Sequence, residues 1–478
     1  MAAKGKKLHI VMFPWLAFGH IIPYLELSKF LAEKGHKISF ISTPRNIDRL
    51  PKLPPELASS INLVKIPFPK IPELPEYAEA TMDIRGEDMQ YLKKAYDGLE
   101  AGLTRFLEES GDPDWIIYDF SPHWLPPIAQ RLGISRGFFL IINAWFLAFF
   151  GPVDDLISGS DYRTKPEDFM VPPKWVKFDT KVAYRRFEAN WIVGSGQNDG
   201  SGFSDYYRGG KVIEGCEAIF VRHCYEFEPD WLTVLEKVYG KPVVPLGLMP
   251  PNNNNNNNKL DDENSESWVG IRNWLDNQNK GSVVYVALGS EVTPTEDQLS
   301  ELAHGLEISG VPFFWVLRKP SGSTESDSVE LPRGFEERTS GRGIVWRSWA
   351  PQLKILSHDS VGGFLSHCGW SSIVEALMFG HPLITLPFLV DQGLNSRVVV
   401  EKQLGHEIPR NEEDGSYTRN SVADSVKLVM LEDDGKKFRA RANEMSAIFA
   451  DAELHNRYLN NFVEFLENHR SASNTIDV

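Results

Sequence analysis

The chain contains few cysteines, and it has no apolar run that is both long and uninterrupted. Its 478 residues include three cysteines, Cys216, Cys224 and Cys368. Three widely spaced cysteines are too few for a disulfide framework and do not have the spacing of a zinc knuckle. This usage excludes the small disulfide-rich secreted classes and indicates a reducing, cytoplasmic setting.

A membrane-spanning segment or signal peptide is also not indicated. The apolar N-terminal stretch is interrupted by His9, Pro14, His20 and Pro23 before it could form a signal-peptide core. The most apolar segment, residues 137–153, is at the short limit for a bilayer span and contains a polar asparagine. Its length and polar interruption predict a buried strand followed by the start of a helix.

The chain also has no excess of positive charge. Lys and Arg total 50 against 65 for Asp and Glu, which gives a formal net charge of −15 and a pI near 5.4. An acidic chain without a basic run is a poor partner for nucleic acid or an anionic membrane. Any anionic ligand must therefore be attracted by local hydrogen-bond donors.

Short apolar runs alternate with helical patterns along the chain, which indicates an α/β fold with doubly wound parallel sheets. Predicted strands cover residues 8–14, 37–42, 62–67, 115–118, 138–142, 282–288, 313–317, 344–346, 362–366 and 383–386. Predicted helices cover residues 21–34, 128–132, 144–150 and 299–309. Ligands of such sheets lie beyond the carboxyl ends of the strands, often in a cleft between two halves.

A polar segment divides the chain into two similar halves. Residues 252–258 are consecutive asparagines that follow two prolines, a composition typical of a flexible linker. We predict a first domain over residues 1–245, a linker over 246–267 and a second domain over 268–452. Residues 453–478 form a tail with apolar side chains at approximate helical spacing, which we expect to pack back on the first domain.

The segment from Val361 onward has the features of a nucleotide site. An apolar strand leads into His367 and Gly369, and a helix opens near residues 371–372, so its free amide groups could bind a phosphate. Glu375, one turn later, would repel a phosphate but could accept hydrogen bonds from ribose hydroxyls. Taken alone, the pattern is equally typical of an ordinary strand–turn–helix with serine caps.

The surrounding sequence favours the nucleotide site. Residues 349–392, WAPQLKILSHDSVGGFLSHCGWSSIVEALMFGHPLITLPFLVDQ, resemble the donor-sugar signature of plant family 1 UDP-dependent glycosyltransferases. The resemblance implies the GT-B fold, in which two doubly wound Rossmann-like domains face a cleft. It also implies an inverting, metal-independent hexosyltransferase without a cofactor, for which we expect a monomer.

The resemblance assigns donor contacts residue by residue. Trp349 would stack on uracil, Ala350 and Gln352 would contact the base and ribose, and Glu375 would bind the ribose hydroxyls. The remaining donor residues would be Ser290, His367, Gly369 and Ser372 near the diphosphate and Trp370, Asp391 and Gln392 at the sugar. Gly19, in the first half, would be a further donor contact. Ser371 would also contact the donor, with a shorter reach than the asparagine that is more usual in the family at this position.

Catalysis is assigned to a histidine and an aspartate in the first half. His20 follows the first predicted strand and Asp119 follows the strand at residues 115–118. Alone, His20 could be a structural hydrogen bonder and Asp119 a helix cap, but both match the catalytic pair of the family. A carboxylate beside an imidazole fixes its tautomer and stabilises its protonated form, which suits a general base.

Aromatic residues after predicted strands could form an acceptor pocket for a flat or polycyclic compound. They are Trp15, Phe18, Phe120, Trp124, Trp145, Phe146 and Phe149, and each could instead belong to the core. Stretches such as residues 14–32 and 42–51 resemble the plant subgroup that extends flavonoid or terpenoid glycosides, including steviol-type glycosides. The final Gln392 is similar to the glucose-preferring type, while UDP-rhamnose as donor and a free aglycone as acceptor remain alternatives.

Other classes fit less well. A nicotinamide-dependent oxidoreductase would require a Gly-x-Gly-x-x-Gly turn after the first strand, and residues 15–20 do not supply it. A protein that only binds sugar nucleotides would not need the His20 and Asp119 pair. No Tyr-x-x-x-Lys motif points to an epimerase, and no Asp-x-Asp motif follows a suitable strand to hold a metal.

Overall fold

The structure, a computed structural model, describes residues 7–111, 113–251, 266–289, 291–318 and 330–469. They form two compact units: the first lies within Met1–Thr164, Val193–Met249 and Glu453–Val478, and the second within Lys165–Ile192 and Pro250–Ala452. This differs from the predicted division in two respects: residues 165–192 belong to the second unit, and residues 246–249 of the predicted linker belong to the first. Most of the predicted linker, residues 252–265, lies outside the described residues.

The first unit is built on a seven-stranded parallel sheet in the order β3-β2-β1-β4-β5-β6-β7. Its strands are β1 (His9–Phe13), β2 (Lys37–Ser42), β3 (Ile61–Lys65), β4 (Trp115–Tyr118), β5 (Ser135–Leu140), β6 (Ala218–Val221) and β7 (Val243–Pro245). The central strands are almost continuously apolar because helices cover both faces of a parallel sheet. The strand order reverses between β1 and β4, which is where open α/β sheets place their ligands.

The second unit repeats this topology with six parallel strands in the order β10-β9-β8-β11-β12-β13. They are β8 (Val283–Ala287), β9 (Phe313–Val316), β10 (Gly343–Trp346), β11 (Val361–Ser366), β12 (Leu383–Thr385) and β13 (Gly405–Glu407). Strands β8 and β11 are adjacent, with Leu365 opposite Val286. The order reverses here, so this pair is the equivalent position in the second sheet.

Helices connect the strands throughout the described residues. Up to residue 251 they are α1 (Phe18–Glu33), α2 (Pro44–Asp48), α3 (Met89–Asp97), α4 (Glu100–Glu109), α5 (Leu125–Arg131), α6 (Ala144–Phe150), α7 (Val153–Ser158), α8 (Pro166–Phe169), α9 (Arg186–Ser195), α10 (Asp205–Gly215) and α11 (Pro229–Tyr239). After it they are α12 (Glu266–Asp276), α13 (Glu296–Ser309), α14 (Phe335–Arg338), α15 (Gln352–Leu356), α16 (Trp370–Met378), α17 (Gln392–Glu401), α18 (Arg419–Met430), α19 (Lys436–Phe449) and α20 (Ala452–Asn468).

Helix α20 returns to the first unit. Its apolar side chains join the core beneath the first sheet, and the Phe462 ring lies 4.8 Å from that of Phe220. The Trp115 indole nitrogen of β4 donates a hydrogen bond to the Leu466 carbonyl at 3.0 Å. The tail therefore completes the hydrophobic core of a unit whose sheet is formed more than 200 residues earlier in the chain.

The doubly wound α/β prediction is confirmed. Most predicted strands agree with the observed ones to within a few residues, while β6, β7 and β13 were not predicted. The apolar segment at residues 137–153 forms the end of β5, helix α6 and the start of α7. Within the described ranges, we find no helix with both the length and the apolar character needed to cross a bilayer.

Candidate active site

His20 and Asp119 meet where the first sheet reverses its strand order. His20 Nδ1 lies 2.7 Å from Asp119 Oδ2. The same carboxylate accepts hydrogen bonds from the backbone amides of Trp15, at 3.0 Å, and Phe120, at 2.8 Å. An ionised carboxylate can only accept, so it holds the proton of the imidazole on Nδ1 and leaves Nε2 as the basic nitrogen.

His20 lies in the first turn of a helix rather than in a preceding loop. Helix α1 begins at Phe18, earlier than the predicted start at residue 21. Pro23 lies inside the helix and has no amide hydrogen, so the Gly19 carbonyl receives no α-helical hydrogen bond from it. The His20 side chain in this first turn is 19% exposed.

Two of the predicted acceptor aromatics lie beside this pair. The Phe120 ring centroid is 5.9 Å from that of His20 and 5.6 Å from that of Trp15. Phe18, in the first turn of α1, is half-buried. Trp124 is more enclosed, and its indole nitrogen donates to Asp97 at 3.2 Å. Phe120 therefore borders the imidazole, and the buried Trp15 packs against Phe120.

The aromatic residues of α6 lie in the interior instead. Trp145 is fully buried with its ring 5.4 Å from that of His223, and Phe149 packs 6.3 Å from Trp231. Phe146 is also buried. Because these rings are enclosed by protein in the first unit, the structure supports the core alternative for them rather than an acceptor-lining role.

The turn between β11 and α16 forms the matching position of the second unit. Cys368 adopts a left-handed backbone conformation with φ of 68°, which is uncommon for a residue with a side chain. Its amide donates to Ser366 Oγ at 3.1 Å, and Gly369 caps the helix. Strained backbone of this kind is typical of functional turns, and it directs the chain into the N-terminus of α16.

His367 lies in the same turn and is neutral at physiological pH, since burial lowers its pKa to about 4 while a hydrogen bond with the Ala287 backbone acts in the opposite direction. A Cβ atom at either Gly289 or Gly369 would lie 2.6 Å from His367 Nε2. The two glycines therefore make room for the imidazole. Ser290, the predicted donor residue next to Gly289, lies outside the described residues.

The predicted base and ribose residues form a hydrogen-bonded chain. Gln352 Nε2 donates to Glu375 Oε2 at 2.6 Å, and Gln352 Oε1 accepts from the Tyr285 hydroxyl at 3.2 Å. Tyr285, on β8, was not predicted, and no sequence motif distinguishes it from a core tyrosine. Trp349 is 42% exposed, so its indole face is available for stacking. Ala350 is buried behind it.

Ser371 and Ser372 occupy the first turn of α16, and both are half-buried. Trp370, at the first position of that helix, is buried. An N-terminal helical turn offers amide groups and a partial positive charge to an anion. Three of the predicted diphosphate residues, His367, Gly369 and Ser372, therefore lie at this helix terminus.

Asp391 and Gln392 begin helix α17. Gln392 Oε1 accepts from the amides of Phe388 and Leu389, both at 2.9 Å. Asn395, which was not predicted, donates to Asp391 Oδ2 at 2.6 Å and to the Cys368 carbonyl at 2.8 Å. Its spacing of four residues from Asp391 on a helix is the signal that could have revealed it. This asparagine therefore links the start of α17 to the turn between β11 and α16.

In the parts of the chain that the structure describes, no cluster of three or more His, Cys, Asp or Glu side chains could hold a metal ion. Metal-independence stays a prediction.

Comparison with known proteins identifies the family. Residues 258–474 match the family model described as UDP-glucoronosyl and UDP-glucosyl transferase. UDP-glycosyltransferase 91D2 of Stevia rebaudiana is 53% identical over 98% of this chain and 96% of its own length. Soyasaponin III rhamnosyltransferase of Glycine max is 44% identical over 98% of both chains. The chain belongs to the plant UDP-glycosyltransferase family.

A solved structure agrees with this family assignment. Phytolacca americana UGT2, in complex with UDP-2fluoro-glucose and pterostilbene, superimposes with a TM-score of 0.72 at 25% identity, over 96% of this chain and 99% of that one. The resemblance read from residues 349–392 is therefore confirmed, as is the GT-B fold class. The protein is a UDP-glycosyltransferase, an enzyme that uses a UDP-sugar donor and a small-molecule acceptor.

Proposed function

We propose that this UDP-glycosyltransferase transfers glucose from UDP-glucose to a sugar hydroxyl of a diterpenoid or flavonoid glycoside, with inversion and with His20 as general base. The hydrogen-bonded His20 and Asp119 pair carries the proposal. Its geometry gives the imidazole a defined basic nitrogen beside the carboxyl ends of β1 and β4. A general base in this arrangement has the tautomer that proton abstraction requires.

In the proposed reaction, His20 Nε2 takes the proton of the acceptor hydroxyl while that oxygen attacks the anomeric carbon. The bond between the anomeric carbon and the diphosphate oxygen breaks, and UDP leaves with the electron pair. A single displacement on a UDP-α-sugar yields a β-glycoside. Asp119 does not take the proton; it stabilises the imidazolium that forms.

The second unit would hold the leaving group. The N-terminal turn of α16 and the neutral His367 would donate hydrogen bonds to the diphosphate, which stabilises its developing charge. Glu375 and Gln352 would bind the ribose and base under the Trp349 indole. Asp391 and Gln392 would contact the sugar hydroxyls. We propose that no metal or cofactor takes part.

The choice of glucose and of a glycoside acceptor rests on sequence. Gln392 is similar to the glucose-preferring type, and the Stevia relative shares half of its residues with this chain. UDP-rhamnose is the second candidate donor, since a relative of 44% identity is named a rhamnosyltransferase. Wild-type protein offered both donors, with flavonoid and diterpenoid acceptors as aglycones and as monoglycosides, should add a hexose to the glycosides. Transfer to free aglycones alone, measured by mass spectrometry, would contradict the glycoside assignment.

The role of His20 has its own test. We expect His20→Ala to lower kcat by roughly 10²- to 10⁴-fold because the acceptor proton loses its base. The Kd for UDP, measured by calorimetry, should stay within about two-fold of wild type, as for a surface change. His304→Gln, at a half-buried helical histidine of the second unit, is the matched control and should retain turnover. Full turnover by His20→Ala would exclude the imidazole as base.

A further inference from the structure

Residues 180–188, which precede helix α17 by about two hundred residues in the chain, are packed along that helix. The Lys181 amide donates to Glu401 at 2.7 Å, and the Thr180 hydroxyl donates to the same carboxylate. Glu401 is the last residue of α17. Residues 180–188 then continue toward the other end of that helix, where Asp391 and Gln392 lie.

At the N-terminal end of α17, Glu188 makes the main contact between residues 180–188 and the helix. Its carboxylate accepts two hydrogen bonds from Arg397 of α17, at 3.0 and 2.9 Å, and one from its own segment at the Arg185 amide. A Cβ atom at Gly393 would lie 2.5 Å from this carboxylate, so glycine is needed for the close approach. Glu188 therefore lies directly against the second residue of α17, where the helix dipole favours a negative charge.

The ion pairs extend into the sheet. Arg397 also pairs with Glu407 at the end of β13, and Arg185 pairs with Glu407 at 2.9 Å and with Glu412. The Glu188 side chain is 9% exposed and that of Glu407 4%. Burial raises the pKa of Glu188, and the Arg397 charge opposes that rise. A buried, charge-paired cluster fixes geometry because breaking one pair leaves a desolvated charge.

A second contact fixes the loop that precedes α17. The Arg410 guanidinium lies 4.5 Å from the Phe187 ring centroid and 5.3 Å from that of Phe388. Arg410 also donates to the Pro387 carbonyl. Val390 in this loop has a left-handed φ of 49°, a conformation that needs support from its surroundings. Phe187 thus holds the arginine that anchors the loop.

We propose that Phe187 and Glu188 are positioning residues for the donor sugar, because they fix residues 387–392 and the start of α17 and thereby set where Asp391 and Gln392 meet the sugar hydroxyls. This inference rests on the proposed donor roles of Asp391 and Gln392. Neither Phe187 nor Glu188 has to touch the substrate. Substitutions at these two positions should therefore weaken binding of the sugar part of the donor and leave binding of UDP unchanged.

The test compares UDP-glucose with UDP as ligands, by calorimetry without acceptor. For Glu188→Gln and Phe187→Leu, we expect the ratio of Kd for UDP-glucose to Kd for UDP to rise roughly 3- to 30-fold, as for mutations that act on a site through a neighbouring element. Phe187→Tyr, which keeps the ring, should retain the wild-type ratio. A merely destabilising change would lower Tm without moving this ratio.

Arg186→Gln is the matched control, since Arg186 directly precedes the two tested positions but pairs with Glu167 and Glu413 at the surface. Its ratio should stay within about two-fold of wild type. Gln392→Ala separates the two hypotheses. If it leaves the ratio unchanged, the proposed sugar contact is wrong and the positioning inference falls with it. If Gln392→Ala raises the ratio but the Phe187 and Glu188 variants do not, only the positioning inference is overturned.

Discussion

Glu375 is held in place before any ligand arrives. Its hydrogen bond from Gln352, itself fixed by the Tyr285 hydroxyl, directs the carboxylate from within the helix that carries the proposed phosphate site. A carboxylate oriented by a neighbouring amide loses little entropy when it accepts further hydrogen bonds. The proposed contact with two ribose hydroxyls therefore depends on the orientation of the Glu375 carboxylate as much as on its charge.

We expect Glu375→Ala to weaken UDP binding roughly 10- to 100-fold, because hydrogen bonds to a charged group are lost. The decisive measurement compares the binding of UDP with that of 2′-deoxy-UDP, which lacks one of the two ribose hydroxyls. Wild type should prefer UDP over the deoxy form, and the variant should bind both alike. Glu444→Ala, at an exposed carboxylate on α19, should keep the wild-type preference. A variant at position 375 that still distinguishes the two nucleotides would exclude the ribose assignment.

Most of the donor residues could be proposed from sequence because they lie within the single stretch of residues 349–392, whereas Gly19 and Ser290 lie outside it. Asn395 and Tyr285 could not be proposed from sequence, because their roles depend on hydrogen bonds to groups that are distant in the chain. Asn395 donates to the Cys368 carbonyl and Tyr285 to Gln352. For the α6 aromatics, sequence position after a strand could not distinguish a pocket wall from the core. Their burial depends on α11 and the loop at His223, which are distant in the chain.

At the level of elements, the turn from β11 into α16 depends on small residues. Gly369 caps the helix with an ordinary negative φ, so its role is space rather than backbone freedom. The imidazole of His367 occupies the volume that a side chain would need. Gly270, inside α12, has no neighbour within 4 Å of a Cβ position and offers a matched comparison.

We expect Gly369→Ala to weaken UDP binding roughly 10-fold, because His367 must move and a hydrogen bond to the diphosphate is lost. Gly270→Ala should leave UDP affinity unchanged and raise the free energy of unfolding by about 0.5–1 kcal/mol, the helix preference for alanine. Calorimetry and denaturant unfolding of both variants provide the measurements. Equal UDP affinities in the two variants would show that the His367 position is unimportant.

Element boundaries show the limits of sequence patterns. The apolar runs located most strands correctly, whereas β13 has only three residues and no apolar pattern. Helix α1 begins at Phe18, before its periodic stretch, and its N-cap Ala17 has no capping side chain that could have marked this start in the sequence. The association of residues 180–188 with α17 depends on ion pairs across more than two hundred residues, and no local pattern encodes it.

On the scale of the whole molecule, buried neutral histidines couple stability to pH. Burial lowers the pKa of His223 in the first unit and of His367 in the second to about 4, against 6.5 for an exposed histidine. Between those values the unfolded chain binds a proton that the folded chain does not. The folded state is therefore favoured above pH 6.5 and loses stability as the pH falls toward 4.

We expect the free energy of unfolding to fall below pH 6.5, with His223 contributing about 1.4 kcal/mol per pH unit. His223→Gln keeps a donor for the Glu228 carbonyl but cannot titrate. Denaturant unfolding at pH 7.5 and pH 5.0 should show a smaller loss for this variant than for wild type. An identical loss in both proteins would mean that His223 is not buried as a neutral group.

The path of the chain through its two units has a consequence for recombination between relatives. Because residues 165–192 belong with the second unit and residues from 453 onward with the first, a single crossover near residue 250 does not exchange an intact unit. A chimera joined there would pair the Glu188 of one parent with the Arg397 of another, and the sheet of one with the final helix of another. An exchange keeps each parent's contacts together if it moves residues 165–192 with the rest of the second unit and α20 with the first unit.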